Sequence, residues 1–311
     1  MDNSVDSRAS VNNYRYRSAE KSGTRWLKSL SYDFWDEVMI PGMPSSRGQD
    51  LQEQKIFDEA QCPQGICLTN EYLLLTSYSE GKDELGELFV FDRESGEFLV
   101  TLGMNPKSHL GGVAFDGQNV WVCNSSTCSM ERISYDFVKL MAEQNRGEVV
   151  DASKMVDTIA VENTPSCITY DSGRLWIATH TVSGDSKLVA YYYDRRQGEL
   201  TALSSYRIPK KVQGIAFDDK GRVYLSTSYG RASSSYLKVY RSVFAMSEKT
   251  EKPQIKVEMP PGSEEIAISG DRIYVLFESA GEKYFNGTDG KGISLCPIDK
   301  ILEVDRDSFL N

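Results

Sequence analysis

Histidine is nearly absent from this chain. His109 and His180 are the two in 311 residues, and their spacing matches no fixed metal-ligand pattern, so a His–His metal pair is a weak reading. The six cysteines, Cys62, Cys67, Cys123, Cys128, Cys167 and Cys296, include no CxxC pair. That excludes a zinc knuckle and a thioredoxin-type motif. Two disulfides stay open on sequence grounds, Cys123–Cys128 and Cys62–Cys296. Long apolar runs are missing and the mean hydropathy is −0.42, which excludes a transmembrane helix. Basic residues are in deficit, 35 Lys and Arg against 45 Asp and Glu, for a net charge of −10. This argues against broad binding to nucleic acid or to an anionic membrane surface. A local basic patch at Lys210-Lys211 with Arg207 reads more simply as a solvated loop. The chain carries no GxSxG elbow, HExxH helix, Rossmann glycine fingerprint or kinase signature. Residues 1–24 hold no apolar core of a secretion leader. Two localisations follow as expectations, a cytoplasmic chain or a mature secreted form.

What is present is a repeat. A small or polar pair, one aliphatic, a turn and an aliphatic-aromatic strand recur five times: PQGICLTNEYLLLTSY from Pro63, LGGVAFDGQNVWVCNS from Leu110, PSCITYDSGRLWIATH from Pro165, VQGIAFDDKGRVYLSTS from Val212 and SEEIAISGDRIYVLFE from Ser263. The anchoring aliphatics Ile66, Val113, Ile168, Ile215 and Ile266 are spaced by 47, 55, 47 and 51 residues. A period near fifty with several strand-like runs per unit predicts propeller blades. The apolar residues Leu74, Trp121, Trp176, Tyr224 and Tyr274 follow their anchors at near-constant distance. Between them lie hairpin-turn pairs such as Asp116-Gly117 and Gly270-Asp271, which permit positive φ.

The expected fold is all-β, a five-bladed β-propeller whose ring is closed by an N-terminal strand pairing with the last blade. Its boundaries read as a disordered tail at 1–24, an arm over 25–54 that packs on the propeller, and the propeller over 55–311. Trp26, Leu27, Leu30, Phe34 and Val38 recur at helical spacing within that arm. The closing strand is read at Lys55 to Glu59. In the last blade, the third strand is read at Ile293 to Cys296 and a helix-like stretch at Ile298 to Val304. An outer helix is expected within Ser134 to Glu148.

Phrases such as VQGIAFDDKGRVYLSTS and LGGVAFDGQNVWVCNS resemble the broad superfamily of propellers with NHL-like, YVTN-like or SMP-30-like repeats. The resemblance covers residues 55–311 and implies the propeller fold. It names no chemistry, since that superfamily holds lactonases, lyases, dehydrogenases and binding scaffolds.

Propeller topology brings the start of each first strand and the end of each second strand to one axial mouth. The first ring of positions is Gln64, Gly111, Ser166, Gln213 and Glu264; the second is Tyr78, Ser125, His180, Ser228 and Glu278. Polar groups converging on a concave mouth form a candidate ligand site. Glu278, Glu264 and His180 are the candidate catalytic residues, two carboxyls whose proximity raises one pKa and a histidine base. Gln64, Tyr78, His109, Ser125, Ser166, Gln213, Ser228 and Arg231 are the candidate ligand contacts. Arg231, in a Ser- and Gly-rich loop, would suit an anion. No cofactor is required; the Glu264–Glu278 pair would also accept Ca²⁺. The expected partner is a small molecule or saccharide, with a protein partner on residues 25–44 as an alternative. Two functions follow: a binding propeller for a small polar ligand, saccharide or peptide, or a glycosidase- or lactonase-like hydrolase or lyase. A third is a protein-interaction scaffold.

Overall fold

Each repeat folds as the alternation of its apolar residues dictates, into a short antiparallel sheet. The computed structural model describes residues 26, 30–47, 55–81, 84–248 and 250–310; the tail at 1–24 lies outside them. The first blade holds β2 (Gln61–Leu68), β3 (Tyr72–Ser79), β4 (Glu87–Asp92) and β5 (Phe98–Gly103). The second holds β6 (Val113–Phe115), β7 (Asn119–Asn124), β8 (Ser129–Ser134) and β10 (Asp157–Ala160). The third holds β11 (Cys167–Asp171), β12 (Arg174–Ala178), β13 (Ser186–Asp194) and β14 (Glu199–Ile208), and the fourth β15 (Val212–Phe217), β16 (Val223–Thr227), β17 (Ser235–Tyr240) and β18 (Ile255–Met259). The fifth is built from β19 (Ser263–Ser269), β20 (Arg272–Phe277), β21 (Leu302–Asp305) and the N-terminal β1 (Tyr32–Phe34). The inner strands touch in the cyclic order β2, β6, β11, β15, β19 and back to β2. The chain is a five-bladed β-propeller. Among the described residues no helix is long and apolar enough to cross a membrane.

Period-two alternation gives every strand two faces, and each face serves a different neighbour. Five apolar clusters result among the described residues, one in each seam between blades. Trp121 therefore lies between the second and third blades and Trp176 between the third and fourth. The repeated aromatic is fixed by the hairpin turn before it. Asp116 accepts the amides of Gln118 and Asn119 on one oxygen and the Trp121 indole N–H at 2.9 Å on the other. Asp218 does the same for Lys220, Arg222 and the Tyr224 hydroxyl. A single carboxylate thus sets both the turn and the rotamer of a core ring.

Three sequence expectations are corrected here. Lys55 to Glu59 is not a strand; side chains of the first blade hold it through both backbone and side-chain groups. Thr101 donates to the Lys55 carbonyl, Glu87 accepts the Phe57 amide, and Ser79 donates to the Asp58 carboxylate. The strand that joins the last sheet is β1, with Tyr32 opposite Val304 and Phe34 opposite Leu302. The third strand of the fifth blade is Leu302–Asp305, where a helix-like stretch was expected, and Ile293 to Cys296 forms no strand. The outer helix does form, at Tyr135–Gln144. Beyond it, β9 (Glu148–Asp151) leaves the second blade and pairs in parallel with β5 of the first.

The ring axis is plugged by a carboxylate. Glu265 is fully buried and accepts the amides of Ile66 at 3.1 Å, Val113 at 2.8 Å and Ile168 at 3.0 Å. These donors are the repeat anchors of blades one to three. The residues preceding the five anchors are Gly65, Gly112, Cys167, Gly214 and Glu265, so three blades leave room with glycine, the third blade carries the small Cys167, and the fifth fills the space. A Cβ on Gly112 would stand 2.5 Å from Glu265 Oε1 and 2.8 Å from Cys167 Cα. Burial pushes the Glu265 carboxyl up, against the three amide donations.

Candidate functional site

One end of the axis opens into a cavity of about 530 Å³. Its lining takes in Glu278, Glu264 and His180, and all of Gln64, Tyr78, His109, Ser125, Ser166, Gln213, Ser228 and Arg231. Gly111 is the exception among the aligned positions. It packs instead on the third blade, where a Cβ would lie 2.4 Å from the Ser166 carbonyl. Adjacent Glu264 and Glu265 lie in a bulge of β19 between Ser263 and Ile266 and are put to different uses, one lining the mouth and one plugging the axis.

Glu264 and Glu278 share a hydrogen bond at the base of the cavity. Gln213 Nε2 donates to Glu264 at 2.8 Å, and Gln64 Nε2 donates to Glu278 at 3.3 Å. Burial raises both carboxyls, and the neighbouring carboxylate raises Glu264 further. Two carboxyls this close resist ionising together.

Tyr78 and Lys283 form the next layer. The Lys283 ammonium donates to the Tyr78 hydroxyl and to Glu80 at 2.6 Å. It also stands 4.7 Å above the Tyr78 ring and 4.9 Å above that of Tyr284. Tyr284 stands beside Glu278, and burial pushes both phenols well up. His109 stacks on Tyr78 with ring centroids 4.2 Å apart. Burial, helped by the Lys283 charge, pulls its pKa down to about 4, so it is neutral at pH 7.

His180 is placed differently. Its Nδ1 lies 3.1 Å from the Val212 carbonyl, which can only accept, so that nitrogen carries the proton. Nε2 is then the basic nitrogen of the ring. Ser166 Oγ accepts the His180 amide at 3.0 Å. Ser228 Oγ accepts from Ser235 at 3.0 Å and from the Gly262 amide at 3.2 Å, a joint between strands more than an open hydroxyl.

Arg231 holds protein rather than open space. It donates to the carbonyls of Lys283 and Gly292, pairs with Asp289 and lies 4.6 Å from the Tyr284 ring centroid. It ties down the loop that follows Glu278, including the helical turn Glu282–Phe285. Lys283 and Tyr284 also line the cavity and were not picked out individually in the sequence; their signal was the long Gly-rich run after Glu278. Tyr229, a candidate stacking ring in the sequence, lines it too. All six cysteines are free, so neither Cys123–Cys128 nor Cys62–Cys296 is bridged. Cys62 lies under the pair, with Sγ 3.7 Å from Glu278 Oε2. Among the described residues no group of three or more His, Cys, Asp or Glu could hold a metal ion.

No protein-family model matches the sequence, and no curated protein matches it. Solved structures do. Hydrazine synthase of Kuenenia stuttgartiensis aligns at TM-score 0.42 and 11% identity over 72% of this chain, which spans 58% of that one. Myxococcus xanthus glutaminyl cyclase aligns at TM-score 0.48 and 10% identity, covering 88% of this chain and 95% of the other. The PQQ-bound aldose sugar dehydrogenase of Streptomyces coelicolor aligns at TM-score 0.46 and 16% identity, covering 81% and 97%. The likeness is one of fold alone.

Proposed function

We propose that this propeller binds a small, hydroxyl-rich polar ligand of the saccharide class in its axial cavity. The observation that carries the reading is the buried, closely paired carboxyls Glu264 and Glu278 in the cavity, each taking the amide N–H of a flanking glutamine, Gln213 and Gln64. Such a set offers donors and acceptors side by side with little net charge, which suits alternating hydroxyls more than a strong ion. Tyr229, half exposed, supplies an apolar face at the rim.

A second reading, a lactonase-like hydrolase or a lyase, is favoured by His180. Its basic Nε2 belongs to the same cavity as a carboxyl that holds a proton, the components of general acid–base chemistry. Glycosidase chemistry on the glutamate pair fits poorly. Their direct hydrogen bond is closer than the roughly 5 Å or more that separates glycosidase carboxyls.

Thermal unfolding with neutral sugars, sugar acids and lactones tests both readings. A ligand that binds only the folded state raises Tm saturably. The binding reading expects that rise with a neutral sugar, and a Kd at least tenfold weaker in Glu278→Gln. Turnover of a lactone or sugar acid, lost in His180→Gln, would move the assignment to catalysis. No rise with any class would overturn the site.

A further inference from the structure

Beside the axial cavity lies a second one, of about 490 Å³, lined by Lys210, Lys211, Lys238 and Lys256 together with hydroxyls of Thr227, Ser233 and Tyr236. No Asp or Glu lines it among the described residues. Two rings hold lysines in place: Lys256 Nζ is 4.0 Å from the Tyr236 centroid and Lys211 Nζ 4.8 Å from that of Tyr229. None of the four ammonium groups has an acidic partner among the described residues. Glu258, two residues along β18 from Lys256, takes the Ser234 hydroxyl at 2.5 Å instead. Arg207, the other cation of the basic run, turns away to Ser247 and Asp185.

This arrangement works against folding. Lys238 on β17 and Lys256 on β18 are direct cross-strand partners, and like charges in that position destabilise a sheet. Lys211 holds a left-handed backbone at φ 65° without being glycine, a conformation that costs free energy and concentrates at functional sites. Burial, with the charges of Lys256 and Lys211 adding to it, pulls the Lys238 ammonium down to about 8. An anion would relieve the cross-strand repulsion and the crowding at Lys238 together.

We propose that this cavity is an anion site for a phosphate group, free or carried as a phosphomonoester, held by Lys238, Lys256 and Lys211 with Ser233 and Tyr236 as hydroxyl donors. The acidic chain argues against broad polyanion binding, whereas a pocket of this size and chemistry suits one compact oxyanion. Ser228 and Tyr229 line both cavities, so the new site adjoins the axial one but does not depend on what binds there.

The test is thermal unfolding of the whole chain at constant ionic strength in chloride, inorganic phosphate or glucose 6-phosphate. The wild type should show a saturable rise of about 2–5 °C with a phosphate probe. Lys238→Met and Lys256→Met should lose the rise, and Glu278→Gln should keep it. A rise with both probes makes the free oxyanion sufficient; a rise with glucose 6-phosphate alone makes the ligand a phosphomonoester. An equal rise in the wild type and both lysine variants would be general exclusion of phosphate from the protein surface and would overturn the site, as would no rise. A second readout needs no variant. Saturating phosphate should slow reductive methylation of Lys238 severalfold, read by peptide mass spectrometry, and unchanged labelling would also overturn the proposal.

Discussion

Glu265 shows how much of a fold can rest on one side chain. Three amides from three blades end on its two oxygens, and none has water to turn to. A buried donor left without a partner costs about 1–3 kcal/mol. Glu265→Gln keeps the shape but replaces one acceptor oxygen with an N–H₂ group that faces other donors. We expect it to lower the unfolding free energy by about 2–4 kcal/mol, measured by urea denaturation, with a near-native circular dichroism spectrum. A loss under about 0.5 kcal/mol would mean that the axial hydrogen bonds contribute little. Its neighbour Glu264 meets the opposite demand, since it faces the cavity. One residue of register separates the group that holds the ring from a group proposed to meet the ligand.

At the scale of elements, the regular hairpins were legible in the sequence and the irregular joints were not. Each first-to-second strand hairpin announces itself by an anchor, a turn and an aromatic. In all five the residue after the anchor faces the repeated core residue, as with Ala114 and Trp121. The candidate mouth was legible for the same reason, because equivalent positions in a repeat must converge. β1 was hidden because it is three residues long, and Phe34 and Val38 mimic helical spacing. Short runs do not carry a period. β21 was hidden behind the Gly-rich loop, whose length displaced the expected strand. That loop yields a prediction of its own. Arg231→Met removes its ties to Lys283, Gly292 and Asp289. Limited proteolysis should then cut within residues 281–293 at least tenfold faster, with Tm lowered by about 3 °C or less. Unchanged cleavage would show that the loop is held by other contacts.

For the molecule as a whole, buried carboxyls govern the response to pH. Burial raises Glu87, Glu264 and Glu278, and pushes Glu131 up to about 7. A carboxyl raised on folding binds its proton more tightly in the native state. Its contribution is complete below the unfolded value of about 4.5 and is lost as pH rises through the folded one. His109, lowered to about 4, acts oppositely: the unfolded chain binds more protons between about 4 and 6.5, so stability falls as pH drops through that window. The carboxyls outnumber it. The urea midpoint should therefore decline between pH 5 and 8, and Glu131→Gln should remove about 2 kcal/mol of that decline. A midpoint that climbs steadily over the range would contradict the burial of these groups as acids.

The parallel strand β9 has a consequence for how the ring comes apart. It belongs by sequence to the second blade and by hydrogen bonding to the first, with Val100 to Gly103 lying beside Glu148 to Asp151. Releasing either blade tears the ladder of the other. The first two blades should therefore open as one cooperative unit, and the amides of β5, β8 and β9 should reach a common free energy of opening in native-state hydrogen exchange. β1, which precedes the first blade in sequence, makes a comparable join to the fifth; among the described residues the seams from the second blade round to the fifth have none, so the first breach of the ring belongs there.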